Sequence, residues 1–201
     1  MKILKYLLII IGVLLILFFA MGLTTPSVSY GHEIIVDKPA KETWAISQDP
    51  AKFDQWLEGF KSIQLIEGKQ DEVGSKYKVV VDPGDGQDEF EMIQTLVAHQ
   101  PYEYAELHFA SDFMDFEQIY RHTTLKDGKT SVKTESKVMA KNLFMKSMFA
   151  VMEKLGSSFT TQEAKNMEAL KKVIQENTTD YYPEPVEAEA EAMSESEEVG
   201  G

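Results

Sequence analysis

The first pattern along the chain is an apolar run with no period in it. Within "MKILKYLLIIIGVLLILFFAMGL", Tyr6 to Leu23 is eighteen residues without a charge. As a helix this run rises about 27 Å, close to the ~30 Å hydrocarbon core of a bilayer. Nothing in it is polar enough to mark a solvent face, which does not suit the core helix of a globular domain. Lys2 and Lys5 precede it. The positive-inside rule then places the N-terminus in the cytoplasm and the rest of the chain across the membrane. A cleaved signal peptide is the rival reading, with Ala20 and Gly22 as small residues at the cleavage site. The run is longer than the usual h-region of about 7–15 residues, which favours a single-pass anchor over residues 1–25. The connector 24–29 contains Pro26 and reaches about 20 Å at most. An uncleaved anchor therefore holds the following domain close to the membrane.

Beyond the connector the pattern alternates. "SVSYGHEIIVD" (27–37) is rich in β-branched and aromatic residues and predicts a strand. Pro39 suits a first helical turn. "AKETWAISQ" then predicts a short helix carrying Trp44 and Ile46, ended by Asp49-Pro50. "AKFDQWLEGF" predicts a second, with Phe53, Trp56 and Phe60 at i, i+3, i+7 on one buried face. Both tryptophans of the chain fall in this helix pair. Six strand patterns follow: "KSIQLIEG", "SKYKVVVD", "DEFEMIQTLVA", "YEYAELHFA", "FEQIYRHTTL" and "KTSVKTESKVMA". Turn chemistry such as "DPGDG" and Pro101 separates them. Asp127-Gly128 between the last two is a strong hairpin signal.

At Lys141 the period becomes helical. Leu143, Phe144, Met148, Phe149, Met152 and Leu155, then Phe159, Met167, Leu170, Val173 and Ile174, recur at spacings of three and four. Gly156-Ser157-Ser158 divides them into helices over 142–155 and 159–176. The remainder, 178–201, is acid-rich and poor in large aliphatics, and reads as a disordered tail. The fold class is α+β: a curved antiparallel sheet of about seven strands wrapped on one long C-terminal helix. A twisted sheet around a single helix leaves space between the two.

Composition sharpens this only in part. The chain has 201 residues, 43% hydrophobic and 26% charged, a globular balance. Its net charge of -13 argues against a nucleic-acid partner, which needs a basic surface. Eight of the acids lie between Asp180 and Gly201, leaving -5 for the rest. There is no cysteine, so neither a disulfide framework nor a thiolate metal site is available. His32, His99, His108 and His122 have no metal-ligand spacing. No nucleophile elbow or glycine-rich phosphate loop occurs. No metal and no cofactor is expected.

Several segments follow one another in a familiar order. They are Pro39 and Trp44, Asp49 and Trp56, "EVGSKY", "QTLVAHQP", "LKDGKTSVKTESKV" and "EAKNMEALKKVIQEN". This order resembles the START/Bet v 1-like superfamily, also labelled SRPBCC or polyketide cyclase/dehydrase and lipid transport. The resemblance covers residues 28–177 and rests on the succession of segments, none of them specific alone. It implies the helix-grip fold, with a deep cavity between sheet and long helix and the short helix pair closing one end. The anchor and the acidic tail lie outside it.

The hairpin then offers a phase for the cavity wall. With Asp127-Gly128 as a two-residue loop, Thr123 pairs with Val132, Arg121 with Thr134 and Ile119 with Ser136. The face bearing Glu117, Ile119, Arg121, Thr123, Val132, Thr134, Ser136 and Val138 is the more apolar and is expected to point inward. Arg121 inside needs Glu117 or a ligand carboxylate as partner; at the rim it reaches solvent instead. Met152, Phe159 and Met167 complete the expected lining, the methionines serving either as pliable wall or as ordinary core. The function this favours is a membrane-anchored binding protein for a hydrophobic small molecule or lipid, with no catalytic residue assigned. Some relatives implied by the resemblance are cyclases or aromatases. An enzyme of that kind would have to draw on Arg121, Glu117 and His108. A third reading is a ligand-free module whose acidic tail recruits a basic partner; no protein partner is identified.

Overall fold

The computed structural model of the chain describes residues 2–84, 86–156 and 159–183. Helix α1 (Lys2–Thr24) is apolar throughout, and Gly22 is its one buried residue. It is long and apolar enough to cross a membrane, as an anchor or a signal sequence is. Strands β1 (Val28–Tyr30) and β2 (Glu33–Val36) lead to α2 (Ala40–Ser47). A single 3-10 turn, Pro50–Lys52, is opened by Asp49, whose carboxylate accepts from the Ala51 N–H at 3.0 Å. It runs into α3 (Phe53–Trp56). Strands β3 (Phe60–Glu67), β4 (Lys76–Val81), β5 (Phe90–Gln100), β6 (Tyr104–Ala110), β7 (Met114–Thr124) and β8 (Thr130–Ala140) follow.

These strands form one antiparallel sheet in the order β1-β8-β7-β6-β5-β4-β3, with β2 also on β8. The predicted strand 27–37 is present but divided. Its halves keep a common register on β8 and part at Gly31–His32. A Cβ on Gly31 would lie 2.3 Å from the Thr134 carbonyl oxygen. Beside it the His32 N–H donates to Thr134 Oγ1 at 3.1 Å. Among the described residues the sheet therefore has eight strands where the pattern predicted about seven.

Helix α4 (Leu143–Leu155) is capped by Asn142, whose side chain accepts from the Met145 N–H at 2.9 Å. Gly156 ends it in the left-handed region. Helix α5 (Phe159–Glu176) buries Met167, Leu170 and Ile174 against Ile34, Val36, Ile46, Tyr120 and Val132. The long helix does not work alone. Phe149 of α4 packs with Val28, Val138 and Ala140 in a second cluster, at the end of the sheet nearest α1.

The hairpin departs from the predicted phase. Its loop is three residues, Lys126-Asp127-Gly128. The Leu125 N–H donates to the Lys129 carbonyl at 2.8 Å, and the Gly128 N–H to the Leu125 carbonyl at 3.0 Å. Gly128 takes a φ of 82°, the left-handed residue that closes such a loop. His122 thus faces Val132, Tyr120 faces Thr134 and Gln118 faces Ser136. The pairing lies one residue from the predicted one. Side chains alternate with a period of two, so the slip turns all of β7 over. Ile119, Arg121 and Thr123, with Glu117, stand on the outer face. Phe116, Gln118, Tyr120 and His122 point inward. On β8 the inward set is Thr130, Val132, Thr134, Ser136 and Val138, all buried.

Residues 178–183, which the composition assigned to a disordered tail, fold back on the domain. The Tyr181 hydroxyl donates to Asp49 Oδ2 at 2.6 Å, and Lys41 Nζ sits 3.8 Å from the Tyr182 ring centroid. The rest of the predicted tail, 184–201, lies outside the described residues.

Candidate functional site

Helix α5 is held to one side of the sheet. Its apolar stripe docks on β2, α2 and α3, and the concave faces of β4 to β7 curl beyond it. A cavity of about 490 Å³ remains between them. Val79, Leu96, Leu107 and Phe109 form its sheet wall, while Phe53, Trp56 and Leu57 close the end by α3. Trp56 meets Phe53 and Tyr120 edge-on, at ring-centroid distances of 6.0 and 6.4 Å. Trp44 has a different place, edge-on to His122 at 5.2 Å. The two tryptophans of the helix pair therefore divide between cavity wall and packing.

The opposite end of the cavity is aromatic. Phe109 stacks on Phe116 at 5.1 Å, and Tyr30 lies between Phe116 and Phe159 at 6.3 and 5.6 Å. Phe159 touches Phe149 of α4 edge-on at 5.0 Å. This row of rings runs from the sheet to α4.

Polar residues in the lining include Glu58, Gln94, Gln162 and Asn166, and the buried Gln118 and Glu163 form a cluster among them. Gln118 Nε2 donates to Ser136 Oγ at 3.2 Å and to Glu163 Oε1 at 3.5 Å. Glu163 is only 7% exposed. Burial raises its carboxyl above the usual carboxylate range, and a hydrogen bond with Thr134 partly opposes this. Burial, and then the nearby Glu163 charge, push the Tyr30 and Tyr120 phenols well up, so both stay protonated donors. A carboxyl, an amide and two phenols around an apolar hollow can hold the polar end of a mainly apolar molecule. The Glu163 carboxyl can also exchange a proton with it. Among the described residues no three His, Asp or Glu side chains converge as a metal cage requires.

His122 is buried nearby. Its Nε2 lies 3.3 Å from Ser47 Oγ, Nδ1 has no partner among the described residues, and burial lowers its pKa to about 4.

The predicted lining residues scatter. Phe159 lines the cavity. Thr134 and Ser136 point inward beneath α5, against Glu163 and Gln118. Val132 and Met167 belong to the packed core. Met152 lies exposed on α4. Ile119, Arg121 and Thr123 are outside the cavity: Arg121 pairs with Glu135 at 4.0 Å, and Ile119 lines a shallow outer groove among charged side chains. Glu117 and His108 face each other across β6 and β7 on that same outer side, so none of the three candidates for enzyme chemistry reaches the hollow. Glu163, Gln118 and the two tyrosines do. Glu163 had a signal in the sequence, since Phe159, Glu163, Met167, Leu170 and Ile174 form one helical stripe.

The chain matches no protein-family model and no curated protein. Solved structures match it along most of its length. Norcoclaurine synthase from Thalictrum flavum superposes with a TM-score of 0.54 at 15% identity, covering 76% of this chain and 96% of that one. Ara h 8.0201 gives 0.53 at 13%, covering 75% and 99%. The di-domain ARO/CYC BexL from the BE-7585A biosynthetic pathway gives 0.57 at 14%, covering 76% of this chain and 52% of that one.

Proposed function

We propose that this chain, which has the Bet v 1-like (SRPBCC) fold of the structures just compared, binds a hydrophobic small molecule or lipid in its cavity while α1 holds it at a membrane. One observation carries this: a hollow of about 490 Å³ with a largely apolar sheet wall and the buried Glu163–Gln118 pair on its lining. Small-molecule sites are typically ~300–1,000 Å³, largely apolar, with few placed polar groups. The apolar body of the ligand lies along Val79, Leu96, Leu107 and Phe109, and its polar end meets Glu163, Gln118 and Tyr30. The bilayer is a ready source. Five residues separate the end of α1 at Thr24 from Tyr30, a span of about 20 Å at most over the six steps. By the charge rule the N-terminus is cytoplasmic and the domain lies across the membrane.

The test uses the full chain held in amphipol and titrated with a fluorescent fatty acid, read by quenching of tryptophan. Saturable quenching is expected. Val79→Phe, which fills the hollow, is expected to weaken it about tenfold, or ~1.4 kcal/mol, with near-UV circular dichroism unchanged. Affinity that ignores this substitution puts the ligand outside the cavity. Absence of binding across acyl, prenyl and sterol probes refutes the proposal.

A second reading, an enzyme, is favoured by the buried carboxyl of Glu163. Glu163→Gln separates the two. In an enzyme, losing a general acid or base costs roughly 10²–10⁴-fold in turnover and leaves binding near the parent's. In a binder the amide keeps a polar contact, and affinity changes little. Stability follows either way: the folded-state pKa of Glu163 is raised, so its ionisation opposes folding as pH rises. Glu163→Gln is expected to be more stable than the parent at pH 8 and equal to it near pH 4, by urea titration.

A further inference from the structure

We propose that the first turn of α4 is seated in the lipid leaflet beside α1, so that Phe144 forms a second membrane contact next to the anchor. The inference rests on reading α1 as a membrane span.

The contact between the helices comes first. The last two turns of α1 do not stand free. Phe18 meets Phe144 at 5.7 Å between ring centroids. Gly22 is buried on Ser147, where an added Cβ would lie 2.2 Å from Ser147 Oγ and 2.7 Å from the backbone nitrogen. Position 18 faces 144 and position 22 faces 147, so the two helices run the same way. The start of α4 is therefore level with Phe18, well before the end of the apolar run.

Length then decides where the lipid must reach. Lys2 to Leu17, the part of α1 ahead of this contact, rises about 24 Å. The hydrocarbon core is ~30 Å thick, so the free part falls short by about 6 Å. Phe18 to Leu23 supplies the difference, and lipid that rises along it must also surround the first turn of α4.

The surface of α4 fits that placement. At 100° per residue, Phe144, Met148, Val151, Met152 and Leu155 fall within one arc of about 100°. Charged Lys146, Glu153 and Lys154 all fall outside it. Phe144 is 57% exposed. A helix turned towards water carries polar residues on that arc; here the arc continues the apolar surface of α1.

The chain has no cysteine, so a single introduced one takes a nitroxide label uniquely. Full-length Ile10→Cys, Phe144→Cys and Asp127→Cys are labelled in phosphatidylcholine/phosphatidylglycerol vesicles and probed by collision with oxygen and with a nickel chelate. Position 10 and position 144 are expected to favour oxygen. Position 127, at the hairpin about 33 Å along β8 from Ala140, is expected to favour nickel. Nickel preference at 144 with oxygen preference at 10 overturns this inference and spares the anchor. Nickel preference at 10 removes the anchor and the inference together. Shielding of 144 from both reagents, with spin–spin broadening, means a second copy covers it and also overturns the proposal. Met148→Cys, on the same arc, replaces Phe144→Cys if the latter fails to fold.

Discussion

Trp56→Ala is expected to cost ~3–5 kcal/mol of stability, the usual penalty for emptying a buried aromatic site. Urea unfolding of the full chain in detergent micelles should show it as a midpoint lowered by roughly 2 M. The ring is 5% exposed and holds Phe53 on one side and Tyr120 on the other. Its removal unties α3 from the sheet as well as enlarging the cavity. Trp56→Phe should restore most of the loss, because the indole Nε1 has no hydrogen-bond partner to forfeit. A cost below ~1 kcal/mol for the alanine variant, the ordinary level of a surface substitution, would mean that the helix pair is no part of the core.

The second large effect depends on pH. Burial holds the His122 pKa at about 4, against ~6.5 in an unfolded chain. Trp44 and Ser47 of α2 are its neighbours, and neither supplies a charge to favour the imidazolium. Between pH 6.5 and 4 the unfolded state therefore takes up a proton that the folded state refuses. Stability rises with pH through that window and is lost as pH falls, by up to about 3 kcal/mol. His122→Gln should flatten this acid limb, so that the difference between parent and variant shrinks from pH 7 to pH 4. Parallel urea midpoints across the range would contradict the burial argument.

Much of the fold was legible because it rests on periods. The change from alternation to helical spacing at Lys141 marks a real boundary, and α5 occupies the predicted 159–176. The succession from Pro39 to "EAKNMEALKKVIQEN" indicated the helix-grip arrangement. The site was less legible, and the reason is one residue of loop. Asp-Gly suits a two-residue hairpin and also the end of a three-residue one. Only Lys126 joining the loop separates the two, and that choice turned Gln118 and Tyr120 inward and Arg121 outward. Both faces of β7 mix polar and apolar residues, so hydrophobicity, which favoured the Ile119 face, was a poor arbiter. Glu163 lay on the apolar stripe of α5, but its residue type pointed the other way. A carboxylate in an amphipathic helix is ordinarily a solvated group, and its burial depends on which β7 residue lies opposite.

The direction of α5 has a consequence for the acidic C-terminal segment. The helix starts beside Tyr30, near the end of α1, and climbs past β2 until Lys38 Nζ donates to the Asn177 carbonyl at 3.3 Å. Its eighteen residues rise about 26 Å, and Tyr181 then pins the chain to Asp49. The acidic segment is thus rooted at the pole opposite the anchor. With α1 in a bilayer, that root stands some three Debye lengths from the headgroups, at ~8 Å each in physiological salt. Lipid charge is screened away at that distance, so the bilayer's composition has little electrostatic effect on Asp180 and its surroundings.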